Sequence, residues 1–211
     1  MIKAVLFDLD GVIVSTDGCH YRAWKRMADE EGIYFDEKIN DRLRGVSRMA
    51  SLEIVLERAS RSYTDDEKAA LAERKNDYYR DLIRELTPSD ILPGAMENLN
   101  ELKENGILVA VGSSSKNTPL ILRRIGLDAF FDAVSDGNNI SRSKPDPEVF
   151  LKAAEMLGTD PADCLVVEDA DAGIEAGRRG GMKTLSVKGA RGADYFAPDL
   201  SDYSIFRRII R

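Results

Sequence analysis

The sequence predicts an α/β protein: a doubly wound parallel sheet that carries an inserted small bundle of α-helices. From Ile91 onward, short apolar runs alternate with helical stretches, which is typical of a parallel sheet with helices on its faces. Residues 17–87 show only helical periodicity, although they follow a strand-like apolar run. We therefore predict an α/β domain formed by residues 1–15 and 88–211, and a helical domain formed by residues 16–87.

The composition fits a globular protein and argues against a membrane protein, a nucleic-acid-binding protein and a disulfide-rich or zinc-binding protein. Of the 211 residues, 43% are apolar and 32% are charged, and no apolar run approaches the roughly 18 residues of a membrane helix. The net charge of −7 argues against nucleic acid, which is bound by clustered positive charge. Cys19 and Cys164 belong to no C-x-x-C pair, which argues against a disulfide framework and a zinc site. The first residues lack the layout of a secretory signal, and we expect a cytoplasmic protein.

The first predicted strand, residues 4–7, ends in two carboxylates. Asp8 and Asp10 flank Leu9 and precede Gly11, which allows a sharp turn. Because strand side chains alternate, Asp8 and Asp10 should leave on the same side, close enough to share a cation or to divide acid and nucleophile roles. Asp and Gly are also common in turns, so a plain surface turn is the alternative interpretation of this fragment.

The inserted segment contains three groups of apolar residues at helical spacing, and each group predicts the buried face of one helix. These faces are Trp24, Met27 and Ala28; Leu52, Val55, Leu56 and Ala59; and Leu71, Lys75, Tyr78 and Leu82. Thr64 and Glu67 have the spacing of a capping box and predict the start of the last helix. A helical module tethered by two linkers above a site can act as a lid that closes and excludes water.

After residue 91 the pattern predicts four strands and four helices. The strands are expected at residues 107–111, 133–135, 165–167 and 184–187, the last of which completes the sheet. The helices are expected from about residues 95, 120, 147 and 172, and the first three are closed by Gly106, Gly126 and Gly158.

Polar residues stand at the ends of these strands. Ser113 follows a strand and precedes a helix, so it can form a phosphate cradle, although a turn or cap is the alternative. Lys144 can neutralise a transferring phosphoryl group, although a lone lysine is usually solvated. Glu168 and Asp169 end a buried strand, where a bound Mg²⁺ would explain otherwise costly carboxylates. In parallel sheets, ligands bind at the carboxyl ends of the strands, where Asp8 also lies.

Four motifs in this order resemble those of the haloacid dehalogenase superfamily. They are DLDGV at 8–12, a serine after the second strand, KPDP at 144–147 and ED at 168–169. The resemblance implies a Rossmann-like core with a small helical cap, and phosphoryl transfer through an aspartyl-phosphate on Asp8. It implies that Asp10 is the general acid and base. The metal ligands that it implies for one Mg²⁺ per chain are Asp8, the carbonyl of Asp10, Glu168 and Asp169; the other catalytic residues are Ser113 and Lys144.

Within the superfamily, most of the chain resembles the β-phosphoglucomutase family, helical segment included. The matching segments are FDLDGVIVSTDGCHYRAW at 7–24, LRGVSR at 43–48, RKND at 74–77, SSSKN at 113–117 and SKPDP at 143–147. The resemblance implies interconversion of β-D-glucose 1-phosphate and D-glucose 6-phosphate, with glucose 1,6-bisphosphate as activator and intermediate. The substrate-binding residues that it implies are Thr16, His20, Trp24, Arg44, Gly45, Val46, Ser47, Arg48, Ser51, Lys75, Asn76, Ser114, Ser115, Lys116 and Asn117. We expect sugar phosphates as the only partners of a monomer.

Physical roles can be attached to several of these residues. Arg44 and Arg48 flank a glycine-containing loop and can clamp the phosphate that is not reacting, because a guanidinium makes bidentate anion contacts. Arg44 stands where this family commonly has Lys, which keeps the charge and changes the geometry. For His20, the only histidine, the resemblance implies that it orients Asp10 and the sugar hydroxyls together with Lys75 and Asn76; the alternative is a partly buried, hydrogen-bonded histidine. For Trp24 we favour a place in the core of the helical domain over a sugar platform.

Two other functions stay open at this point. One is a Mg²⁺-dependent hexose-phosphate phosphatase on the same fold, in which water is the acceptor. The other is a catalytically silent binding module, which would bind ligand without Mg²⁺ and without need of Asp8. Only the mutase needs a second phosphate site, for which Arg48, Lys116 and Asn117 are the candidates.

Overall fold

The computed structural model describes residues 1–43, 46–201 and 204–210, and the chain divides into two compact units. One unit consists of Met1–Ser15 with Thr87–Arg211, and the other of Thr16–Leu86. The first contains a parallel sheet with helices, and the described residues of the second form helices and no strand. The predicted fold class is therefore confirmed.

Six strands in the described part of the chain form one parallel sheet. They are β1 (Ala4–Phe7), β2 (Leu108–Gly112), β3 (Ala133–Ser135), β4 (Cys164–Glu168), β5 (Lys183–Val187) and β6 (Tyr195–Ala197). The prediction that the strand at 184–187 completes the sheet was wrong, because β6 pairs with β5 beyond it. β6 has only three residues and Tyr195 and Phe196 are exposed, so its sequence lacks the apolar run of a buried strand.

The strand order β3-β2-β1-β4-β5-β6 puts β1 at the centre of the sheet, where the order of the strands reverses. In the register of β1 with its two neighbours, Phe7 pairs with Val111 of β2 and with Val167 of β4. The next residues along the three strands, Asp8, Gly112 and Glu168, therefore lie level at the carboxyl edge. That edge, at the reversal point, is where open parallel sheets bind ligands.

The helical unit contains four helices among its described residues. They are α1 (Asp17–Glu30), α2 (Glu37–Asp41), α3 (Arg48–Leu56) and α4 (Asp65–Ile83). The predicted capping box at the start of α4 is confirmed, since Thr64 Oγ1 accepts from the Glu67 N–H at 3.3 Å and Glu67 Oε2 accepts from the Thr64 N–H at 2.8 Å. The apolar side chains of α1, α3 and α4 share one core, which includes Met27, Leu52 and Leu71.

The buried face of α4 differs from the predicted one. Tyr79 and Ile83 are buried, whereas Tyr78 and Leu82, which we predicted on this face, are only half-buried. The Tyr79 ring stacks on the ring of His20 in α1, with centroids 4.1 Å apart. Leu71 and Lys75 are buried as predicted, so the difference is confined to the second half of the helix.

Helices cover both faces of the sheet. They are α5 (Ala95–Glu104), α6 (Thr118–Arg124), α7 (Glu148–Leu157), α8 (Asp171–Arg179) and α9 (Ser204–Ile209). Leu6 of β1 packs in one core with Phe150 of α7 and Ala176 of α8. Phe7, the next residue, faces the other way and meets Phe206 of α9, with ring centroids 6.0 Å apart. No helix in the described ranges is both long enough and apolar enough to cross a membrane.

Candidate active site

Three carboxylates meet at the carboxyl edge of the sheet. Asp8, Glu168 and Asp169 each offer an oxygen, and these oxygens lie within 4.8 Å of one another. The backbone places them there, because Asp8 directly follows β1 and its N–H donates to the Val167 carbonyl at 2.9 Å, while Glu168 ends β4. Asp8 and Glu168 are buried and Asp169 is half-buried, so the group is not a surface turn.

Asp10 stands beside this carboxylate group but is not one of its members. Its side chain is half-buried, and Leu9 before it is fully buried, as the alternation predicted. The resemblance assigns to Asp10 a metal contact through its carbonyl, which is a backbone atom. The same resemblance implies that the carboxylate of Asp10 transfers protons as general acid and base.

Lys144 supplies a buried positive charge to this group. Its Nζ donates to Asp8 Oδ1 at 2.5 Å and to Glu168 Oε1 at 2.6 Å. Only 9% of Lys144 is exposed, which rules out the solvated lysine of the alternative interpretation. The peptide bond between Lys144 and Pro145 is cis.

The pKa values of these groups reflect burial against ion pairing. The pKa of Asp8 is raised to about 6 overall. Burial is the largest cause and outweighs the lowering by Lys144, and the negative charge of Asp169 raises the pKa further. Burial also raises the pKa of Glu168, and Lys144 opposes that shift. Burial lowers the pKa of Lys144, but Asp8 and Glu168 outweigh it, so the net pKa is raised and the ammonium stays charged. Three carboxylates thus face one buried ammonium, an excess of negative charge that favours a bound cation.

The donor set fits Mg²⁺, which prefers carboxylate and carbonyl oxygens. Glu168 is fixed on both sides, because Oε1 accepts from Lys144 and Oε2 accepts from the N–H groups of Asp169 and Ala170, each at 2.9 Å. Asp169 approaches the turn after β1 so closely that a Cβ at Gly11 would overlap its carboxylate. Gly11, at φ +86°, is therefore needed both for its backbone conformation and for this contact.

The serine loop follows β2 at the same edge. Ser113 is buried, its N–H donates to the Ser135 carbonyl at 3.0 Å, and its Oγ accepts from the Ser115 N–H at 3.2 Å. The hydroxyl thus takes part in a turn, and α6 begins only at Thr118, so Ser113 is not at the end of that helix. Of the other residues of this loop that we predicted, Ser114, Ser115 and Asn117 are half-buried and Lys116 is exposed.

A second loop, residues 136–139, supports the serine loop and was missed in the sequence. The Gly137 N–H donates to the Ser115 carbonyl at 3.2 Å, and Asn138 Nδ2 donates to the Lys116 carbonyl at 3.0 Å. A Cβ at Gly137 would lie 2.5 Å from the Ser114 carbonyl oxygen. The only signal in the sequence is a cluster of turn-forming residues, which does not say what the turn touches.

Glu148 fixes the segment before Lys144 and was also missed. Its carboxylate accepts from the N–H groups of Ser141 at 2.9 Å and Arg142 at 2.7 Å, and from the Ser141 hydroxyl. These bonds tie the start of α7 to the loop that carries Lys144. A glutamate in the first turn of a helix has an ordinary explanation in the helix dipole, which hides this role in the sequence.

Lys188 is a second cation at the carboxylates, and it lies outside the sequence motifs. It directly follows β5, and its Nζ lies 3.6 Å from Asp169 Oδ2. Among the described residues it is the only one other than glycine with a positive φ, at 60°. No motif marks it in the sequence.

The helical unit holds a second group of predicted site residues. His20 Nδ1 lies 2.8 Å from Lys75 Nζ, and Lys75 is buried. Tyr79, which we did not predict, joins them, since its ring stacks on His20 and its hydroxyl lies 2.9 Å from Thr16 Oγ1. Trp24 is 2% exposed in the core of this unit, as we favoured, with Lys75 Nζ 4.8 Å from its ring centroid.

His20 is held neutral by its surroundings. Burial lowers its pKa well below 6.5, and the positive charges of Lys75 and Arg48 lower it further. Because an ammonium can only donate, Nδ1 accepts from Lys75 and the ring proton is on Nε2. The ring can thus donate through Nε2 and cannot act as a cation near neutral pH.

Arg48 has polar partners on α4. Its guanidinium donates to Asn76 Oδ1 at 2.8 Å and to Glu73 Oε2 at 3.2 Å. The Ser47 hydroxyl caps α3 by accepting from the Ala50 N–H at 3.3 Å, Ser51 is buried and Val46 is exposed. Arg44 and Gly45, also predicted, lie outside the described residues.

Comparison with known proteins places the chain in a family. A profile of the haloacid dehalogenase-like hydrolase family matches residues 2–181. A β-phosphoglucomutase from Bacillus subtilis is 44% identical over 209 residues, which cover 97% of this chain and 92% of that protein. A phosphorylated carbohydrates phosphatase from Thermotoga maritima is 29% identical and covers 87% of this chain and 84% of its own. The crystal structure of a β-phosphoglucomutase from Clostridium difficile superposes with a TM-score of 0.89 at 38% identity, with 100% of each chain covered.

Proposed function

This chain belongs to the haloacid dehalogenase-like hydrolases, and we propose that it is a Mg²⁺-dependent β-phosphoglucomutase. The proposed reaction interconverts β-D-glucose 1-phosphate and D-glucose 6-phosphate, an isomerisation by phosphoryl transfer. One observation carries the proposal: the 44% identity to the Bacillus subtilis β-phosphoglucomutase spans 97% of the chain and so includes the helical unit.

In the proposed mechanism Asp8 carries the phosphoryl group between two half-reactions. A hydroxyl of the sugar monophosphate attacks the phosphorus of phosphorylated Asp8, the bond from Asp8 to phosphorus breaks, and glucose 1,6-bisphosphate forms. Asp8 then attacks the other phosphate and releases the product. Asp10 takes the proton from the attacking hydroxyl and returns it to the leaving oxygen. The support for Asp8 as nucleophile is its position at the end of the central strand beside Lys144.

The charge of the transferring group is stabilised chiefly by fixed groups of the sheet unit. Lys144 is held in place by Asp8 and Glu168 and keeps its charge, so its ammonium can compensate negative charge on the phosphoryl oxygens. Ser113 and the N–H groups of its loop supply hydrogen-bond donors. A Mg²⁺ ion bound by Asp8, the Asp10 carbonyl, Glu168 and Asp169 would neutralise further charge and orient the phosphate.

We assign the sheet unit, Met1–Ser15 with Thr87–Arg211, as the catalytic core and the helical unit, Thr16–Leu86, as the cap, one residue away from the predicted boundary between 87 and 88. The proposed role of Thr16, His20 and Lys75 is to orient Asp10 and the sugar hydroxyls, which suits a neutral histidine that donates through Nε2. The cap would also discriminate a sugar hydroxyl from water by closing over the site.

The second phosphate, which only a mutase must hold, is assigned to two loops. On the cap, Arg48 with Asn76 offers a guanidinium and an amide, and Arg44 is assigned to the same clamp on sequence grounds. On the core, the binding loop is Ser114, Ser115, Lys116 and Asn117. The remaining residues assigned to substrate contact are Trp24, Gly45, Val46, Ser47 and Ser51. We further propose that the enzyme is a cytoplasmic monomer and that glucose 1,6-bisphosphate is its activator.

The second candidate is a hexose-phosphate phosphatase on the same fold. It is favoured by the Thermotoga maritima relative, a phosphorylated carbohydrates phosphatase that covers 87% of this chain. Both functions need Asp8, and they differ in the acceptor of the phosphoryl group, which is water in the phosphatase.

The fate of the phosphoryl group separates the candidates. Purified protein is incubated with Mg²⁺, β-glucose 1-phosphate and a trace of glucose 1,6-bisphosphate, and glucose 6-phosphate and inorganic phosphate are measured together. The mutase yields glucose 6-phosphate, and Asp8→Asn abolishes it. Stoichiometric inorganic phosphate without glucose 6-phosphate would reject the mutase in favour of the phosphatase. Mg²⁺-independent ligand binding without turnover, unchanged in Asp8→Asn, would identify a silent binding module.

A further inference from the structure

Lys188 is a cation beside the proposed metal ligand Asp169 that the proposed mechanism does not use. Its Nζ lies 3.6 Å from Asp169 Oδ2, and Asp169 is one of three carboxylates whose oxygens lie within 4.8 Å of one another. Lys144 pairs with the other two, Asp8 and Glu168. The three carboxylates thus pair with two lysines. The buried Lys144 pairs with Asp8 and Glu168, and the more exposed Lys188 pairs with Asp169.

The backbone at Lys188 holds an unfavourable conformation. Its φ of 60° lies in the left-handed region. This conformation is energetically unfavourable for a residue that has a side chain, whereas glycine adopts it without that penalty. Its N–H donates to the Pro198 carbonyl at 3.2 Å, a bond that anchors this conformation next to β5. The turn therefore brings a lysine side chain, at a conformational cost, to the edge where the carboxylates stand.

A cation that pairs with a metal ligand competes with the metal. A Mg²⁺ ion bound through Asp169 would lie within a few ångströms of the Lys188 ammonium, and the two positive charges would repel each other. The side chain of Lys188 is 44% exposed, so this repulsion is partly screened and the side chain can swing away. The effect on the bound metal should therefore be moderate.

We infer that Lys188 is a positioning residue that holds Asp169 in the metal-free enzyme and lowers the affinity of the site for Mg²⁺. The Lys188 ammonium pairs with the Asp169 carboxylate when the metal is absent and moves away from it when Mg²⁺ binds. This inference rests on the proposed function, because it takes Asp169 to be a metal ligand.

The test is to measure the affinity of the whole chain for Mg²⁺ by isothermal titration calorimetry in the absence of substrate. Lys188→Asn removes the charge and tolerates a left-handed backbone, and Lys188→Gly removes it with no conformational cost. Both variants should bind Mg²⁺ about three- to tenfold more tightly than the unsubstituted protein, with the gain shrinking at high salt. Lys188→Arg keeps the charge and should restore the original affinity.

Lys183 provides a matched control at the other end of β5. Its Nζ lies 3.7 Å from Asp194 Oδ1, and its side chain is 55% exposed. Lys183→Gln removes one positive charge at a similar ion pair remote from the three carboxylates, and should leave the Mg²⁺ affinity unchanged.

The outcomes separate the inference from the function on which it rests. Mg²⁺ binding that is unchanged or weaker in Lys188→Asn and Lys188→Gly would overturn the role of Lys188 and leave the metal site in place. Equal gains in Lys183→Gln would also overturn it, since general charge would then explain the effect. No Mg²⁺ binding by the unsubstituted protein would overturn the metal site itself, and the inference with it.

Discussion

Lys144 and Asp8 form a buried ion pair across 136 positions of sequence, with Lys144 Nζ 2.5 Å from Asp8 Oδ1. The same ammonium donates to Glu168 Oε1 at 2.6 Å. One side chain thus joins the turn after β1, the end of β4 and the loop before α7. The stability of this corner and the charge at the proposed nucleophile, Asp8, should depend on the same group.

Replacing Lys144 should therefore destabilise the fold as well as abolish activity. Lys144→Met leaves two carboxylates buried without their cation, which should lower the free energy of unfolding in urea by about 3 kcal/mol. Lys103 is the control, because its ion pair with Asp132 has the normal length of 3.0 Å and is about one third exposed. Lys103→Met should cost less than about 1 kcal/mol. Equal losses in the two variants would show that Lys144 is no more important to stability than a surface lysine.

Stabilisation by Mg²⁺ should increase with pH. The pKa of Asp8 is raised from 3.8 to about 6 by burial, so without metal its contribution to stability is present at low pH and is lost as the pH rises through about 6. Mg²⁺ binds the ionised carboxylate, and the gain in Tm on adding Mg²⁺ should be larger at about pH 7.5 than at about pH 5. Thermal denaturation with and without chelator measures it. Asp8→Asn should reduce this pH dependence, and the same gain at both pH values in the unsubstituted protein would contradict the account.

His20 should stay neutral far below the usual pKa of histidine. Burial lowers its pKa well below 6.5, with Lys75 and Arg48 adding to the shift. A depressed folded-state pKa means that the stability contribution is present above about 6.5 and is lost as the pH falls towards the folded pKa. Because His20 is the only histidine, its ring carbon and nitrogen resonances report it without assignment work. We expect the Nε2–H tautomer throughout, and Lys75→Met should raise the pKa; titration near 6.5 in the unsubstituted protein would be the contrary result.

Tyr79 should matter more to the helical unit than its neighbour Tyr78. Tyr79→Phe keeps the stacking on His20 and loses the bond to Thr16 Oγ1, at a cost of about 1 kcal/mol in the free energy of unfolding. Tyr78→Phe is the matched control, because its hydroxyl bonds the exposed carboxylate of Glu30. It should cost less than about 0.5 kcal/mol, since surface changes seldom exceed that value. A larger loss in Tyr78→Phe would mean that α4 buries the face that its apolar pattern suggested.

The sequence sufficed for the parts of the fold that repeat a simple pattern. Continuous apolar runs predicted β1 to β5, and the capping box predicted the start of α4, because each depends on local chemistry. The short strand β6 and the helix α9 were missed, since they are short and β6 exposes Tyr195 and Phe196. The face of α4 was misjudged in its second half, where Tyr79, which stacks on His20, is buried in place of Tyr78.

For the candidate site, the sequence predicted the charged groups that the structure brings together better than the residues that hold them in place. Asp8 and Glu168 stand in motifs at strand ends, where parallel strands bring them together, and Lys144 stands in a motif of the loop before α7. Asn138 and Lys188 act through contacts with distant segments, the Lys116 carbonyl and Asp169 Oδ2. Such contacts depend on where loops pack, which no periodicity records.

The proposed function depends on the transfer of a phosphoryl group to Asp8, and trapping the phosphorylated protein measures that transfer. The protein is mixed with Mg²⁺ and glucose 1,6-bisphosphate, quenched in acid within a turnover, and analysed by mass spectrometry as intact protein and as peptides. We predict one added phosphoryl group, located on the peptide that contains Asp8 and absent from Asp8→Asn. A phosphoryl group that persists in Asp8→Asn, or that lies on another peptide, would contradict the account.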